Sequence, residues 1–135
     1  MLTAITIVLL ITGVGVIWYA YPRWRFRSTM RKRPRVAFED VYQREFADQG
    51  IDYDLAEKLW RRLSDCLDVP YGSLRPSDRY SVELAARKGW EYDDELGAVE
   101  HLLRDAARSR SIEFDMRSLK TVRDSITMLC KRNAT

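Results

Sequence analysis

Acidic residues are absent from the first 35 positions of this 135-residue chain, where seven basic residues stand. The formal charge of +3 for the whole chain therefore combines a strongly basic N-terminal segment with an acidic remainder. The alkaline pI of about 9.0 describes that segment and gives no reason to expect a basic domain.

Cysteine and histidine are also scarce, at two and one. Cys66 and Cys130 lie far apart and form no C-x-x-C pair or Cys/His cluster, so neither a zinc site nor a disulfide is expected. We predict that both are small buried residues in a reducing compartment.

Alternating apolar and polar residues, the pattern of a half-buried strand, are missing over any useful length. Apolar residues instead recur at three- and four-residue spacing in four stretches. These are Phe38–Phe46, Leu55–Leu67, Leu96–Ala106 and Val122–Cys130. The pattern predicts an all-α domain.

Helix boundaries are marked by residues that cap or stop helices. Gly50 ends the first stretch, and either Asp52 or Asp54 can cap the second. Thr121 and Asp124 have the spacing of a capping box at the start of the last helix.

The connection "PYGSLRPSDRY" is rich in turn-forming residues. We expect Leu74 and Tyr80 to anchor it in the core. On the helix before it we predict an apolar stripe of Leu55, Leu59, Leu63, Cys66 and Leu67. Trp60, beside this stripe, is interpreted as a core-edge residue rather than a binding anchor.

The longest apolar run, Leu2 to Tyr21, contains twenty residues without a formal charge. A bilayer core of about 30 Å needs about twenty apolar residues in a helix. A cleaved signal peptide would need basic residues before the run and a small-x-small cleavage site, which this run lacks. Trp18, Tyr19 and Trp24 lie at its end as an interfacial aromatic belt would. Residues 1–22 are therefore predicted to form a single transmembrane anchor.

Basic residues follow the anchor at once, in a predicted juxtamembrane linker of residues 23–35. By the positive-inside rule the N-terminus lies outside, and residues 36–135 form a cytoplasmic domain at the plasma (inner) membrane. Arginines interleaved with aromatics also occur in nucleic-acid-binding segments, but this position favours anionic lipid and not nucleic acid. The predicted headgroup contacts are Arg23, Arg25, Arg27, Arg31, Lys32, Arg33 and Arg35.

Three acids, Asp93, Asp94 and Glu95, open the third helix in the stretch "GWEYDDELGAVEHLL". The unpaired N–H groups and positive dipole of a helix start favour carboxylates there. A catalytic acid–base pair with His101 is the alternative. Acids at a solvated helix start are ordinarily caps, and this set lacks the spacing of metal ligands, so no catalytic residue and no metal is assigned.

The order of these pieces from about Asp54 to Leu129 resembles an acyl carrier protein. Such proteins have a long first helix, an ordered loop, a second helix at the prosthetic-group site, a short third helix and a closing helix. In the family, the second helix opens with Asp-Ser-Leu and continues with Val-Glu, and its serine holds phosphopantetheine. Here "DELGAVEHLL" matches it, and "LKTVRDSITML" is similar to the closing helix with its Thr-Val start.

Alignment on Val99 and Glu100 places Asp94 and Leu96 on the motif and Glu95 where the serine would be. The resemblance therefore implies a degenerate carrier site at Asp94, Glu95 and Leu96, with no cofactor. The segment between Tyr80 and Glu95 is longer than the usual loop of the family. The triplet "DSI" at Ser125 copies the modification motif, but only nine residues follow that serine, fewer than the two further helices a carrier needs.

The fold expected from sequence is thus all-α: one transmembrane helix and an acyl-carrier-like four-helix bundle with an extra N-terminal helix. The expected function is a noncovalent docking or scaffold module, not an enzyme, whose acidic helix meets a basic protein surface. The predicted contacts are Asp93, Asp94, Glu95, Glu100 and the neighbouring Trp90, although Trp90 could equally cover the underside of its loop. The alternative is an atypical acyl or peptidyl carrier, or an accessory component of a membrane lipid-metabolism enzyme.

Overall fold

The computed structural model describes residues 1–85 and 94–132, with the side chains of 94–96 outside that description. Over these residues the chain forms five α-helices and three 3-10 turns, and it has two isolated β-bridges but no strand. The prediction of an all-α protein is therefore confirmed. The helices are α1 (Leu2–Lys32), α2 (Phe38–Glu45), α3 (Tyr53–Leu67), α4 (Asp94–Ser109) and α5 (Val122–Leu129), and the turns are Ala47–Gln49, Tyr71–Ser73 and Met116–Ser118.

Helix α1 has 31 residues, which at 1.5 Å each gives a length of about 46 Å. It is long and apolar enough to cross a membrane. Its large apolar side chains from Leu2 to Trp24 are each at least 53% exposed. An apolar surface of this extent is unfavourable in water and is covered when it lies in lipid.

The same helix continues through the basic stretch without a break at residue 22. Pro22 lies inside it and, because proline lacks an N–H, cannot donate to the carbonyl of Trp18 one turn earlier. The helix ends at Lys32, where Arg33 becomes extended and Pro34 follows. Residues 23–32 are therefore a helical extension of the apolar segment, and Met30 within them is 1% exposed in the hydrophobic core.

Helix α2 packs against the core with the face that the sequence predicts. Phe38, Val41 and Tyr42 are buried, and Phe46 follows the helix with no exposed surface. Gly50 ends the next turn with a φ of 68°, a left-handed conformation that glycine adopts without steric cost. The predicted stop of this element is confirmed.

Helix α3 begins where Asp52 caps it, its carboxylate accepting a hydrogen bond from the Leu55 N–H at 3.0 Å. Leu59, Leu63 and Leu67 are buried as predicted. The prediction for Leu55 was wrong: it is 39% exposed because it lies in the first turn, before the buried face begins. Cys66 is only partly buried, and Ala56, Trp60 and Ser64 complete the buried face instead.

Trp60 lies in the core and not at its edge, with 2% of its surface exposed. Its indole N–H donates to the Tyr71 carbonyl at 3.1 Å, so burial leaves no polar group unpaired. Its ring centroid lies 5.3 Å from that of Phe38, in a tilted contact typical of aromatic pairs. This contact joins α2 to α3.

Helices α4 and α5 close the other side of the core. In α4, Val99 and Leu103 are fully buried, and Ala107 takes the buried position predicted for Ala106. In α5 the predicted capping box is present: the Thr121 hydroxyl accepts from the Asp124 N–H at 3.2 Å, and the Asp124 carboxylate accepts from the Thr121 N–H at 3.0 Å.

Both cysteines are free. Cys130 is 2% exposed, and burial raises the pKa of its thiol to about 12. Cys66 is only half-buried, and burial raises its pKa to a smaller degree. The prediction of buried cysteines is confirmed in full for Cys130 only.

Burial of Met30 makes the end of α1 part of the domain core. We expect Met30→Ala to lower the free energy of unfolding by about 2–4 kcal/mol, as truncation of a buried methionine does. Urea denaturation of the full chain in detergent micelles, followed by circular dichroism, would measure this. The matched control is Arg31→Ala, one residue further along and exposed, which should change stability by less than about 0.5 kcal/mol. Equal small effects of the two changes would contradict the placement of Met30.

Candidate membrane-interface and docking site

The end of α1 is joined to the loop after α3 by an ion pair between Arg33 and Asp78. One guanidinium nitrogen of Arg33 lies 2.7 Å and 3.0 Å from the two carboxylate oxygens of Asp78 and 3.1 Å from the Ser73 carbonyl. The Asp78 side chain is 4% exposed and that of Arg33 24%. The backbone N–H of Arg75 also donates to the carboxylate, at 2.9 Å. Asp78 is thus a buried carboxylate satisfied by one cation and one amide.

Three further contacts join the chain after α1 to the same loop. Arg35 donates to the Ser73 hydroxyl at 2.7 Å, the Val36 N–H donates to the Gly72 carbonyl at 3.1 Å, and the Arg75 guanidinium donates to the Pro34 carbonyl. We call residues 33–36 together with 72–78 the junction.

Close approach of the two segments explains the glycine at position 72. A Cβ atom there would lie 3.1 Å from the Val36 carbonyl oxygen and 3.2 Å from its nitrogen. Both are backbone atoms, so a side chain could be accommodated only by moving the two segments apart. The packing of the junction therefore favours glycine at position 72, beyond the turn-forming role that the sequence predicts.

The junction continues to the start of α5. The Asp78 carbonyl accepts from the Val122 N–H at 3.0 Å, and the Arg123 N–H donates to the Pro76 carbonyl at 2.9 Å. The Tyr80 N–H donates to the Lys120 carbonyl at 3.0 Å. Leu74 and Tyr80 are buried, as the sequence predicts. The loop therefore links the end of α1 to the closing helix.

Ser125, the serine of the "DSI" triplet, is fully buried. Its hydroxyl lies 2.7 Å from the hydroxyl of Tyr80, and burial raises the pKa of that phenol. A side chain in this position cannot be reached by a modifying enzyme in the folded domain. The structure thus assigns Ser125 to the hydrogen bonding of the core, which agrees with its exclusion as a carrier serine.

The seven basic residues predicted to contact lipid headgroups fall into two groups. Arg33 and Arg35 bind the junction, and Arg27 forms a largely exposed ion pair with Asp68 at 3.1 Å. The guanidinium of Arg23 lies 4.4 Å from the centre of the Tyr19 ring. Arg25, Arg31 and Lys32 are exposed and form no ion pair with another described residue.

The acidic start of α4 is only partly within the described residues. Helix α4 begins at Asp94, close to the predicted position. Trp90 and Asp93 lie outside the described residues, as do the side chains of Asp94, Glu95 and Leu96, so the degenerate carrier site and the docking contacts stay predictions. Of the predicted docking residues, Glu100 is described: it is partly exposed and pairs with Arg104 at 2.7 Å.

His101 forms no metal-binding group with the other described residues. Its side chain is 78% exposed and lies 3.7 Å from Asp105 one turn later. Among the described residues, no three histidine, cysteine or acidic side chains come together as metal ligands. His101 is therefore a surface residue of α4.

Sequence reasoning did not identify Asp78 or its partner. Arg33 stands in a basic run that already has an explanation as a topology signal, and Asp78 stands in a loop rich in turn formers. The two residues are separated by 45 positions, so no local spacing relates them. The burial of Asp78 and its pairing with Arg33 can be recognised only from the folded structure.

The junction predicts a specific coupling between Arg33 and Asp78. Arg33→Gln should destabilise the chain by about 3 kcal/mol, because it leaves a buried carboxylate without its cation. The double variant Arg33→Gln/Asp78→Asn should lose less than the sum of the two single variants, by roughly 0.5–3 kcal/mol. Urea denaturation of the four proteins in the same detergent would measure the cycle.

The control is Arg27→Gln, which removes the same charge six residues earlier, within α1. Its pair with Asp68 has side chains that are 44% and 64% exposed, so the loss should be at most about 1 kcal/mol. Additive effects at Arg33 and Asp78, or a loss at Arg27 as large as that at Arg33, would refute the assigned role of the junction.

A search of protein-family models, of curated proteins and of solved structures finds no match to this chain.

Proposed function

We propose that the protein is a membrane-tethered, noncovalent docking module with an acyl-carrier-like fold that lacks the prosthetic-group serine. The observation that carries the proposal is the continuity of α1: one helix has an exposed apolar half and a basic half, and its end is fixed in the domain by Met30 and by Arg33, the residue that follows it. In a bilayer, such a helix would hold the domain against the membrane surface without a flexible linker.

The proposed orientation places the N-terminus outside and the helical domain in the cytoplasm, at the plasma (inner) membrane. The basic residues follow the apolar segment and none precedes it, which is the charge asymmetry that retains a segment on the cytoplasmic side. The exposed Arg25, Arg31 and Lys32 would then lie at the anionic headgroups, where each basic residue contributes about 1 kcal/mol.

The proposed docking face is the start of α4, with Asp93, Asp94, Glu95 and Glu100 meeting a basic protein surface and Trp90 beside them. Two features support it: the acids are consecutive in sequence, and Glu100 is partly exposed on a helix whose Val99, Leu103 and Ala107 are buried in the core. Carrier proteins meet their enzymes with this helix, so the resemblance implies a recognition role. Contacts of this kind contribute association rate and orientation more than affinity.

The alternative, a covalent carrier or an accessory component of lipid metabolism, needs an accessible serine. The burial of Ser125 weighs against the serine that copies the family motif. Expression of the full chain with a phosphopantetheinyl transferase, followed by intact mass measurement, separates the two functions. The docking proposal expects the unmodified mass, and an added prosthetic group would favour the carrier.

Topology gives a first test of the tether. A reporter that is active only in the cytoplasm, fused after Thr135, should be active, because the basic residues keep the adjacent domain on that side. A second reporter, active only outside the cytoplasm, should be silent at the same position. The reverse result would overturn the proposed orientation.

Docking through the acids gives a second test. A zero-length carbodiimide joins carboxylates to lysines that touch them, so membranes containing the full chain should yield a discrete cross-linked product with a lysine-bearing partner. The variant Asp93→Asn/Asp94→Asn/Glu95→Gln should reduce this product severalfold. It should also remove most of its salt dependence, since exposed charges act over a Debye length of about 10 Å at 0.1 M salt.

The matched control, Asp48→Asn/Asp65→Asn/Glu113→Gln, removes three exposed acids elsewhere on the domain and the same total charge. It should leave the product unchanged. Equal losses from the two triple variants would show that net charge and not the α4 face controls the contact, and the docking face would be abandoned.

A further inference from the structure

A groove of about 1000 Å³ lies between α1 and residues 82–85. Its first wall is a single face of α1, formed by residues that recur three and four positions apart from Val14 to Met30, and is continued by Arg33. The opposite wall is formed by Val82, Glu83 and Ala85. The groove is thus bounded on one side by the proposed membrane helix and on the other by the domain.

The two ends of this face of α1 differ in exposure. Met30 is 1% exposed where the helix packs on the core, whereas Tyr21 is 53% and Trp18 73% exposed, nearer the N-terminus of the helix. The groove is therefore closed towards the domain and open towards the apolar half of the helix. A ligand would enter it from the apolar end.

The part of the groove between Val14 and Arg25 has the length of one leaflet of a bilayer. Val14 and Arg25 both line it and are eleven residues apart, which corresponds to about 16 Å along a helix. Half of a bilayer core of ~30 Å is of the same size. An acyl chain that lies along Val14, Ile17 and Tyr21 would place its headgroup at the level of Arg25.

The charges in the groove favour an anionic headgroup. Arg33 is neutralised by Asp78 at 2.7 Å, and Glu83 is neutralised by Arg79 at 3.1 Å. Hydrogen bonds from Arg79 hold the pKa of the Glu83 carboxyl at about 2, so this pair stays ionised. Among the described ionic side chains that line the groove, this leaves the exposed Arg25 as the cation with no acidic partner. A guanidinium in that position can donate two parallel hydrogen bonds to the oxygens of a phosphate and compensate its negative charge.

We propose that this groove binds one anionic phospholipid, with an acyl chain against Val14, Ile17 and Tyr21 and the phosphate at the Arg25 guanidinium. The inference rests on the membrane tether of the proposed function and adds a defined lipid site to it. The site differs from diffuse attraction by the basic stretch, because Arg31 and Lys32 do not line this groove.

The test uses the full chain, reconstituted with equal amounts of phosphatidylglycerol and phosphatidylcholine and then extracted into detergent for native mass spectrometry. Washing at 1 M salt shortens the Debye length to about 3 Å and removes diffuse attraction. The expected result is one retained phosphatidylglycerol per chain. Arg25→Gln should lower its retention by about fivefold or more, since one basic residue at an anionic surface already gives that factor.

Two variants make the result specific. Arg31→Gln removes the same charge outside the groove and should leave retention unchanged. Val82→Trp keeps every charge but fills the groove, so retention should fall as it does for Arg25→Gln. Circular dichroism melts of all the variants should match that of the parent chain. If Val82→Trp melts lower, Val82→Phe takes its place. Arg25→Lys, which keeps the charge, should retain the lipid and shows that loss in Arg25→Gln is due to the missing charge.

Several outcomes would overturn the lipid site. The site would be refuted if the chain retained phosphatidylglycerol and phosphatidylcholine equally, or if Val82→Trp retained the lipid in full. It would also be refuted if Arg25→Gln and Arg31→Gln lost the lipid equally, which would indicate a diffuse lipid shell. Retention of a peptide or protein in place of lipid would also refute the lipid site. Failure of the tether is a separate observation: the chain would then leave membranes during carbonate extraction, before any lipid is counted.

Discussion

The buried carboxylate of Asp78 imposes the condition on which the arrangement of the helices depends. Removing a carboxylate from water costs several kcal/mol, and the cost is offset only where a cation and hydrogen-bond donors are held in place. Arg33 and the Arg75 N–H meet this need at 2.7 Å and 2.9 Å. Because the Asp78 carbonyl also accepts from the Val122 N–H at 3.0 Å, the same residue fixes the end of α1, the loop after α3 and the start of α5.

Met30 and Arg33 have different parts in this attachment. Burial of Met30 is a nondirectional contribution, which any similar position on the helix could supply. The ion pair is directional: a shift of one residue would turn the helix by about 100° and move it by 1.5 Å, so Asp78 could no longer be reached. We infer that apolar burial gives most of the attachment energy, whereas the ion pair sets the rotation of α1 about its axis. That rotation determines which face of α1 meets the groove.

Features with a local cause could be predicted from the sequence. The Thr121–Asp124 capping box, the Asp52 cap and the buried faces of α2 and α5 follow from spacings of three and four residues, and the structure has all of them. The rotation of α3 about its axis could not be predicted, because it depends on residues from other parts of the chain. These residues bury Trp60, while Leu55 stays exposed. The ion pair of the junction could not be predicted either, since Arg33 and Asp78 are 45 positions apart in sequence. The acidic docking site remains a prediction from sequence and resemblance.

The basic stretch illustrates why a count of charges is not sufficient. The positive-inside rule treats its seven residues as equivalent, but they have different surroundings. Arg33 compensates a buried acid, Arg35 binds the junction, and Arg25 and Arg31 are exposed on different faces of one helix. Loss of Arg33 therefore acts through the fold, whereas in the proposed orientation loss of an exposed arginine would act through the surface potential of anionic lipids, at about 1 kcal/mol each. A stretch that is proposed to orient the chain by its total charge thus also positions the domain, through the ion pair of Arg33 with Asp78.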